Sequence, residues 1–356
     1  MINAAVDELL KNPVSFLDDS GPDDDIAISS RIRLARNLKD HPFPVAANNE
    51  ELNNICETIT FAARNTDALG GENMLLFAPE NMSELDREIL LERRLASREF
   101  INTPEARRLF VCPDEGCSLM VNEEDQLRIQ TIRPGFQLRK VWQDINYIDD
   151  ELSKNLDYAF DDQLGYLTCC PTNVGTGMRA SVMLHLPGLV LAGQIGATIQ
   201  GIGKLHLAVR GIFGEGTANS GNLFQISNQN TLGESESKII EELDSVIRQL
   251  ILQEKHARRT LLENDRFSVL DHVGRSYGLL RHSYKLTFEE ALHSLSGLRI
   301  GVDMGLFNTI DIHKVNELFI DIGPAHLRKN AAGSENNDDL DVFRAAVCRE
   351  KLRQLS

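Results

Sequence analysis

No stretch of this 356-residue chain stays apolar for the roughly 20 residues that a membrane-spanning helix requires. The first residues also lack the basic start and apolar run of a secretory signal, so we expect a cytoplasmic protein that does not enter membranes. Basic residues are scarce, with 37 lysines and arginines against 53 aspartates and glutamates, which gives a net charge of −16. This balance argues against a nucleic-acid-binding surface and favours basic partners, with acidity that only serves solubility as the alternative.

Cysteine is sparse as well, and the six cysteines do not form a metal-binding pattern. Cys112 and Cys117 are close in sequence, but no second cysteine pair or histidine cluster completes a zinc site. In a cytoplasmic chain we expect all six thiols to be reduced. The sequence motifs therefore predict no metal held by the protein itself.

Two common phosphate-binding motifs are missing. A P-loop needs a lysine after its second glycine, and although Gly196 and Gly201 have the right spacing, Ile202 stands at the lysine position. Gly201-Ile202-Gly203 does not lead to a third glycine, because position 206 is His206, so the dinucleotide-binding fingerprint fails too. Any phosphate in this protein must be held by other residues.

Before residue 232 the sequence pattern mixes strands with helices. Strands are predicted over 107–112, 118–121, 126–133, 182–186 and 224–227 from apolar and β-branched residues between turn signals. Helices are predicted over 50–63 and 84–95, with Ser83 as the N-cap of the second. Neighbouring antiparallel strands with helices indicate an α+β fold, an antiparallel sheet flanked by helices. Residues 1–232 are predicted to form this first, catalytic domain.

After residue 232 the pattern is helical. Apolar residues from Ile239 to Ile251 recur at helical spacing and predict one long amphipathic helix. Thr287-Phe288-Glu289-Glu290 is a capping box, Gly297 is predicted to end that helix, and Asp311 is predicted to cap the next one. Residues 233–356 are thus predicted as an all-helical second domain. Its apolar stripe either mediates dimerisation or forms the domain's own core.

Five arginines lie in separate segments whose composition suits phosphate binding. Arg31 and Arg33 are two apart in a strand-like stretch, so their side chains should share a face. Arg128, Arg179 and Arg210 could complete a cage for a triphosphate, since a planar guanidinium donates paired hydrogen bonds and keeps its charge. A solvated surface role is the alternative for any one of them, but not for five in these contexts. Phosphoryl transfer depends on such positioning and charge neutralisation.

Two glutamates and a cysteine suggest what accepts the phosphoryl group. A guanidinium is a poor nucleophile, so an enzyme acting on it must align it and help to remove a proton. Glu124 and Glu215 are candidates for bidentate alignment and general-base catalysis. A thiolate of Cys170 would add electrostatic stabilisation, with a small buried core residue as the alternative.

Four sequence motifs, in this order along the chain, resemble the signatures of the phosphagen (guanidino) kinase family. They are Ser29-Ser30-Arg31-Ile32-Arg33, Asn122-Glu123-Glu124-Asp125-Gln126-Leu127-Arg128, Cys170-Pro171-Thr172-Asn173-Val174-Gly175-Thr176 and Arg210-Gly211-Ile212-Phe213-Gly214-Glu215. The resemblance covers about residues 26–236. It implies an antiparallel catalytic sheet and Mg²⁺-bound ATP as donor. It also implies Glu124, Glu215 and Cys170 at the guanidinium, with Ser30 and the five arginines at the nucleotide.

Within the family the chain looks most similar to the bacterial protein arginine kinases of the McsB type. The small-molecule kinases begin with a helical domain of about one hundred residues, which is not expected before Ser29 here, and Met183 stands where they usually have histidine. The resemblance thus implies ATP-dependent phosphorylation of arginine side chains in proteins, in stress response and targeted proteolysis. A kinase of a free guanidino compound such as arginine is the alternative, and a non-catalytic phosphoarginine-binding adaptor is an alternative of another class.

The resemblance also implies partners and regulation that no residue names by itself. It implies a homodimer, an activating zinc-binding adaptor, a heat-shock repressor and the Clp protease machinery. In that subfamily the C-terminal domain binds phosphoarginine through an Arg-Asp pair. Asp341 matches the second residue, whereas Leu340 replaces the arginine, so we expect such feedback to be weakened or absent.

Overall fold

A computed structural model describes residues 2–18, 20–211, 220–307, 309–331 and 337–354. Its main sheet is antiparallel throughout, in the order β2-β3-β4-β5-β1-β8-β10-β9. The strands are β1 Ala27–Arg36, β2 Leu75–Phe77, β3 Arg108–Val111, β4 Cys117–Val121, β5 Leu127–Pro134, β8 Met178–His185, β9 Leu207–Gly211 and β10 Leu223–Asn228, with β6 Phe160–Asp161 and β7 Gly165–Tyr166 forming a separate hairpin. The five predicted strands are confirmed, with small shifts at their ends.

The helices of the described residues lie on both faces of the sheet and in a C-terminal group. They are α1 Ile2–Leu9, α2 Ser15–Asp18, α3 Asn49–Arg64, α4 Glu84–Glu92, α5 Arg98–Asn102, α6 Leu138–Ser153, α7 Pro187–Leu191, α8 Ile195–Gly203, α9 Glu236–Asn264, α10 Arg266–His282, α11 Phe288–Asp303, α12 Ile312–Asp321, α13 Pro324–Asn330 and α14 Asn337–Gln354. This is the predicted α+β arrangement with a helical C-terminal part. Among the described residues no helix is long and apolar enough to cross a membrane.

One face of the sheet is mostly apolar and is covered by long helices. Its side chains, such as Ile32, Leu119 and Val182, share a core with α3, α6 and the apolar stripe of α9. The stripe from Ile239 to Ile251 is therefore buried against the sheet, because it is the complement of this apolar face.

The opposite face is divided. Near β2, β3 and β4 it is apolar, and α1, α4 and α5 cover it in a second core that includes Leu109, Met120 and Ala325. Further along the sheet the same face carries polar and charged side chains. This polar half lies between the second core and the C-terminal helices.

Three predicted helix signals can be compared with the structure. Ser83 caps α4 through the amide of Asp86, Thr287 and Glu290 form the capping box of α11, and Asp311 caps α12. The prediction that Gly297 ends its helix is wrong, because α11 continues to Asp303. A Cβ at Gly297 would lie 2.1 Å from the Ser276 hydroxyl, so this glycine allows α10 and α11 to approach closely.

The hairpin of β3 and β4 also corrects the prediction that all cysteines are reduced. Cys112 and Cys117 stand opposite each other, next to the paired residues Val111 and Ser118, and the structure joins them as a disulfide. Their Cα atoms are 5.3 Å apart, a separation that an antiparallel pair provides.

Candidate active site

The strand register places the five predicted phosphate-binding arginines on one face of the sheet. Arg33 pairs with Arg179 of β8 on one side and with Gln130 of β5 on the other, and Arg128 is two residues from Gln130. Residues directly opposite in neighbouring strands, and residues two apart in one strand, point the same way. Arg31 is two residues from Arg33 and therefore joins them.

Arg210 reaches the same face through two further strands. It pairs with Gln225 of β10, Gln225 pairs with Met183 of β8, and Met183 pairs with Ser29 of β1. The Gln225 side chain accepts a hydrogen bond from Arg31 at 2.9 Å. We call Arg31, Arg33, Arg128, Arg179 and Arg210 the arginine face.

Ser30 does not belong to the arginine face. It lies on the apolar side of β1, and its hydroxyl donates to the Gly135 carbonyl at 2.9 Å and accepts from the Gln137 amide at 2.9 Å. The alternation of side chains along a strand makes this necessary, since Ser30 precedes Arg31. Its hydroxyl therefore anchors the start of α6, whereas the prediction had grouped it with the nucleotide ligands.

Much of the positive charge on the arginine face has no protein counter-charge. Among the described residues, the structure gives neither Arg33 nor Arg179 a hydrogen-bonded or ion-paired carboxylate. The Arg33 Nε atom is buried and makes no hydrogen bond. Burial, and then the charges of Arg94, Arg128 and Arg179, lower the pKa of Arg31 to about 9. A guanidinium keeps its proton in proteins, so this crowding instead creates a strong affinity for an anion.

Glu124 and Cys170 meet at one end of the arginine face. They come from the turn between β4 and β5 and from the segment before β8, and the Cys170 thiol lies near enough to the Glu124 carboxylate to lower its pKa. The Sγ atom of Cys170 lies 3.0 Å from the Thr172 hydroxyl. Burial raises the pKa of Glu124, while the charge of Arg128 and the thiol of Cys170 oppose the rise. Glu124 is thus a half-buried carboxylate beside a thiol and two arginines, Arg128 and Arg179.

The neighbouring Glu123 has a different part. It pairs with Arg128 and also accepts a hydrogen bond from the Ser97 hydroxyl. Although burial opposes its ionisation, the Arg128 charge and these bonds lower the pKa of Glu123. Glu123 therefore positions Arg128, and Glu124 is left to face a ligand.

The turn that carries both glutamates is fixed by local geometry and long-range bonds. Asn122 adopts a left-handed conformation with φ of 57°, which asparagine tolerates, and its side-chain amide donates to the carbonyls of Leu52 and Ala106 at 2.9 Å each. The Oδ1 atom of Asp125 accepts from the Asn37 side chain and from the Cys169 amide, both at 2.7 Å. Asp125 thus joins the end of β1, the glutamate turn and the cysteine segment.

The cysteine segment needs its glycines and its threonine partner. Gly175 has φ of 111°, and a Cβ there would lie 2.3 Å from the Thr231 carbonyl oxygen. The Thr231 hydroxyl lies within hydrogen-bonding distance of the carbonyls of Thr172 and Val174, at 2.9 and 2.7 Å. These contacts hold Cys170 at the end of the sheet.

Two other predicted residues stand apart from this constellation. Glu215 lies outside the described residues. Asp341 lies in α14, where its carboxylate pairs with Arg344 at 2.5 Å, and the neighbouring Leu340 is buried. The phosphoarginine role of Asp341 stays a prediction.

The structure adds one arginine that the sequence reasoning missed. Arg94 follows α4 and lines a cavity of about 560 Å³ together with Arg31, Arg33 and Arg210. The C-terminal helices complete this cavity through Phe288, Leu292 and Phe319 and other residues of α11, α12 and α13. Among the described residues, no group of three or more histidines, cysteines or carboxylates is arranged to hold a metal ion. The cavity combines cationic and aromatic walls, a combination that suits a nucleotide.

Comparisons with known proteins agree with this geometry. Residues 51–257 match the family described as "ATP:guanido phosphotransferase, C-terminal catalytic domain", and residues 266–356 match "Protein-arginine kinase McsB C-terminal domain". The chain is 45% identical over 343 residues to a protein-arginine kinase of Pelotomaculum thermopropionicum, covering 96% of each chain. It is 47% identical to that of Syntrophomonas wolfei subsp. wolfei, covering 92% of each. A solved taurocyamine kinase from Schistosoma mansoni, with transition-state analogue components bound, matches with a TM-score of 0.59 and 26% identity over 77% of this chain and 40% of that one.

Proposed function

Since the chain belongs to the ATP:guanido phosphotransferase family, we propose that it is a protein-arginine kinase, which transfers the γ-phosphoryl group of ATP to arginine side chains of proteins. Relatives of that name match it at 41–47% identity over nearly its whole length. The observation that carries the proposal is the meeting of Glu124 and Cys170 at the end of the arginine face, where Arg33 and Arg179 have no bound carboxylate among the described residues. Glu124 and Cys170 suit a guanidinium, and the arginine face suits a triphosphate.

The residues of the site would divide the chemistry between them. The arginine face binds and neutralises the phosphates, and Glu124 aligns the substrate guanidinium with paired hydrogen bonds. In the reaction the bond between the γ-phosphorus and the bridging oxygen breaks, and a bond from the guanidinium nitrogen to that phosphorus forms. Glu124 accepts the proton that this nitrogen loses, and its raised pKa brings it nearer to the working pH of a general base. Glu215 is proposed as the second aligning carboxylate on the family resemblance.

Magnesium fits this site as a companion of the nucleotide. Mg²⁺ keeps much of its water shell and commonly binds through substrate phosphates and one or two carboxylates. We therefore propose that it enters on the phosphate oxygens, where it would neutralise charge alongside Arg33 and Arg179. This assignment rests on the donor chemistry of ATP.

The division of labour along the chain is also a proposal. Residues 1–232 would carry catalysis, and residues 233–356 would serve dimerisation, regulation and substrate binding, although α9 packs into the core of the sheet. On the resemblance alone we propose a cytoplasmic homodimer that acts with a zinc-binding activator, a heat-shock repressor and the Clp machinery. Light scattering of the purified chain would test the dimer.

The test of the activity compares three acceptors under the same conditions. Purified protein with Mg²⁺ and ATP is given an unfolded arginine-rich protein, the same protein with every arginine replaced by lysine, or free arginine. We expect acid-labile phosphate on the arginine-rich protein and none on its lysine counterpart. Label on free arginine alone would instead support a kinase of a small guanidino compound. Nucleotide binding without label on any acceptor would support the adaptor alternative.

A further inference from the structure

We propose that Arg94 is an additional nucleotide ligand, which binds the phosphate farthest from the transferred one. The inference rests on the proposed function, because it takes ATP as the occupant of the 560 Å³ cavity. It assigns a role in binding to a residue outside the five arginines of the strand motifs.

The backbone holds Arg94 in an uncommon conformation. It has φ of 62°, in the left-handed region that L-residues other than asparagine and aspartate seldom adopt. Its amide donates to the Leu91 carbonyl at 2.9 Å, and its carbonyl accepts from the Gln130 side chain at 2.8 Å. Gln130 pairs with Arg33 and lies on the same side of the sheet. The strand next to Arg33 therefore holds the backbone of Arg94 in place. Such strain persists where the surrounding structure enforces it, and it concentrates at functional sites.

The Arg94 side chain is half-buried without a counter-charge. Its guanidinium carbon lies 5.8 Å from the centre of the Phe16 ring, and among the described residues the structure gives the guanidinium no hydrogen bond and no ion pair. Burial lowers the pKa of Arg94 to about 10, and its charge in turn lowers the pKa of Arg31. An unpaired, partly desolvated cation beside a second cation is costly unless an anion joins them.

The carboxylates nearest along the chain do not supply that anion. Glu88 and Glu92 line the same cavity, but Glu88 pairs with Arg98. Glu92 accepts hydrogen bonds from the amide of Ala325 and from the His326 ring at 2.8 and 2.6 Å. Both carboxylates are thus engaged by other residues, and the cavity in front of Arg94 is left for a ligand.

The order of residues along β1 assigns the phosphate. Arg128 pairs across from Ala35, and Glu124 and Cys170 lie at that end, where transfer occurs. Arg33 and Arg31 follow two and four residues back along the strand, which is about 7 and 13 Å at the usual rise per residue. Arg94 lines the cavity with Arg31, and its guanidinium carbon lies 5.8 Å from the ring centre of Phe16, which packs with Ile132, the residue opposite Arg31. Arg94 is therefore placed for the α-phosphate.

The preceding residue provides a matched control. Arg93 is buried at the end of α4, but its guanidinium binds both carboxylate oxygens of Glu115, and it donates to the Asn12 carbonyl at 3.0 Å. Arg93 is therefore fully engaged in structure, whereas its neighbour is not. The two arginines are adjacent and of the same type, and they differ in their partners, which makes Arg93 a suitable control.

The experiment compares Arg94→Met and Arg94→Lys with Arg93→Met in the full-length protein. Calorimetry measures the affinities for ATP, ADP, AMP and adenosine, and urea unfolding without nucleotide measures stability. We expect Arg94→Met to weaken ATP, ADP and AMP by a similar factor of about 10 or more, the size of a lost charged hydrogen bond, and to leave adenosine unchanged. Its unfolding midpoint should stay equal or rise, because an unpaired, partly desolvated charge is gone. Arg94→Lys should recover part of the affinity.

Arg93→Met should give the opposite result. Its unfolding midpoint should be lower, because Glu115 loses its partner. Its nucleotide affinities should stay within about twofold of the wild type, because the nucleotide contacts are intact. Equal losses of stability in both methionine variants, with unchanged affinities, would make Arg94 structural and overturn the proposal. A loss confined to ATP would place Arg94 at the transferred phosphate, and a loss for adenosine would place it at the base; either overturns the assignment. If the wild type bound no adenine nucleotide, the proposed function would have failed instead.

Discussion

Two groups of arginines in this molecule, one buried and one half-buried, differ in their partners. Arg258 and Arg299 lie at the junction of the sheet with α9 and α11. Arg258 pairs with Glu254 at 2.7 Å, and Arg299 pairs with Asp303 at 3.1 Å and bonds Asn316 at 2.9 Å. Arg299 also donates to the carbonyls of Asp24 and Asp25. We call Arg258, Arg299, Glu254, Asp303 and His185 the junction network.

The arginine face has fewer anionic partners than the junction network. Arg33 and Arg179 are partly buried, and the structure gives neither of them a bound carboxylate among the described residues, whereas Arg128 pairs with Glu123. In the junction network the cationic and anionic side chains balance, so the charges hold the chain together. Arg33 and Arg179 have no such anionic partner among the described residues, so their charges favour the binding of an anion. The set of partners therefore distinguishes a structural arginine from a functional one.

The largest effect is expected at the end of the arginine face where the guanidinium would bind. Glu124→Gln keeps the shape of the side chain but cannot accept a proton, and we expect turnover to fall by about 10² to 10⁴, the usual contribution of a general base. ATP affinity should stay within about twofold, since the phosphate-binding residues are untouched. Phosphoarginine formation and nucleotide calorimetry measure the two quantities. A comparable loss of ATP affinity would contradict the role given to Glu124.

The second test replaces one arginine of each group by methionine. Arg299→Met removes the nearer of the two arginine partners of buried Asp303 and leaves only Arg258 at 3.4 Å, so we expect it to lower the free energy of unfolding by about 3 kcal/mol. Arg33→Met should change stability by less than about 1 kcal/mol, or increase it, while it weakens ATP binding. Urea unfolding measures the free energy of unfolding of both variants. Similar destabilisation by the two changes would remove the distinction between the groups.

An added anion should sharpen the contrast further. Because ligands that bind only the folded state stabilise it by mass action, ATP at 100 times its dissociation constant should add about 2.7 kcal/mol to the unfolding free energy. The Arg33→Met variant should gain much less at the same concentration. Thermal unfolding with and without ATP measures this difference. An equal gain in both proteins would place the nucleotide elsewhere.

The smallest effect is a pH dependence that arises in the junction network. Burial, and then the charges of Arg299 and Arg258, lower the pKa of His185 well below its usual value, so the folded protein keeps this ring neutral. In the unfolded chain the ring gains a proton below a pH of about 6.5, so the unfolded state binds more protons there. Stability should therefore fall as the pH drops below that value, by up to about 1.4 kcal/mol per pH unit for one group.

His185→Gln is the matched variant for this pH effect. Its amide can keep a hydrogen bond to Ser296, whose hydroxyl lies 2.8 Å from Nε2 of His185, but it does not titrate. Urea unfolding at pH 7.5, 6.5 and 5.5 compares the two proteins. The variant should lose less stability than the wild type between the highest and lowest pH, and identical slopes would exclude His185 as the source.

Local signals in the sequence predicted local structure well. The caps at Ser83, Thr287 and Asp311 are confirmed because each depends on residues within three positions. Gly297 was misread, since its small size serves contact with α10, and no local pattern separates that use from a helix end.

The active site was predictable only in part for the same reason. Arg31 and Arg33 follow from strand alternation, and the other three arginines follow from motifs. Arg94 was missed because Arg93-Arg94 reads as one basic pair. Only the tertiary position of Glu115 decides which of the two is paired. For Ser30 the structure adds that its hydroxyl lies on the apolar side of β1, which a motif alone does not reveal, and its role at the nucleotide stays a prediction.

The bonds of Asp125 have a consequence for how activity appears during folding. One carboxylate oxygen joins Asn37 and Cys169, which are 88 and 44 residues away along the chain. Such distant closures form slowly, because the chain must lose much of its freedom before the contacts stabilise it. Refolding molecules should therefore regain helical signal first and catalysis last. A chain still being synthesised cannot phosphorylate anything until its cysteine segment has emerged and docked.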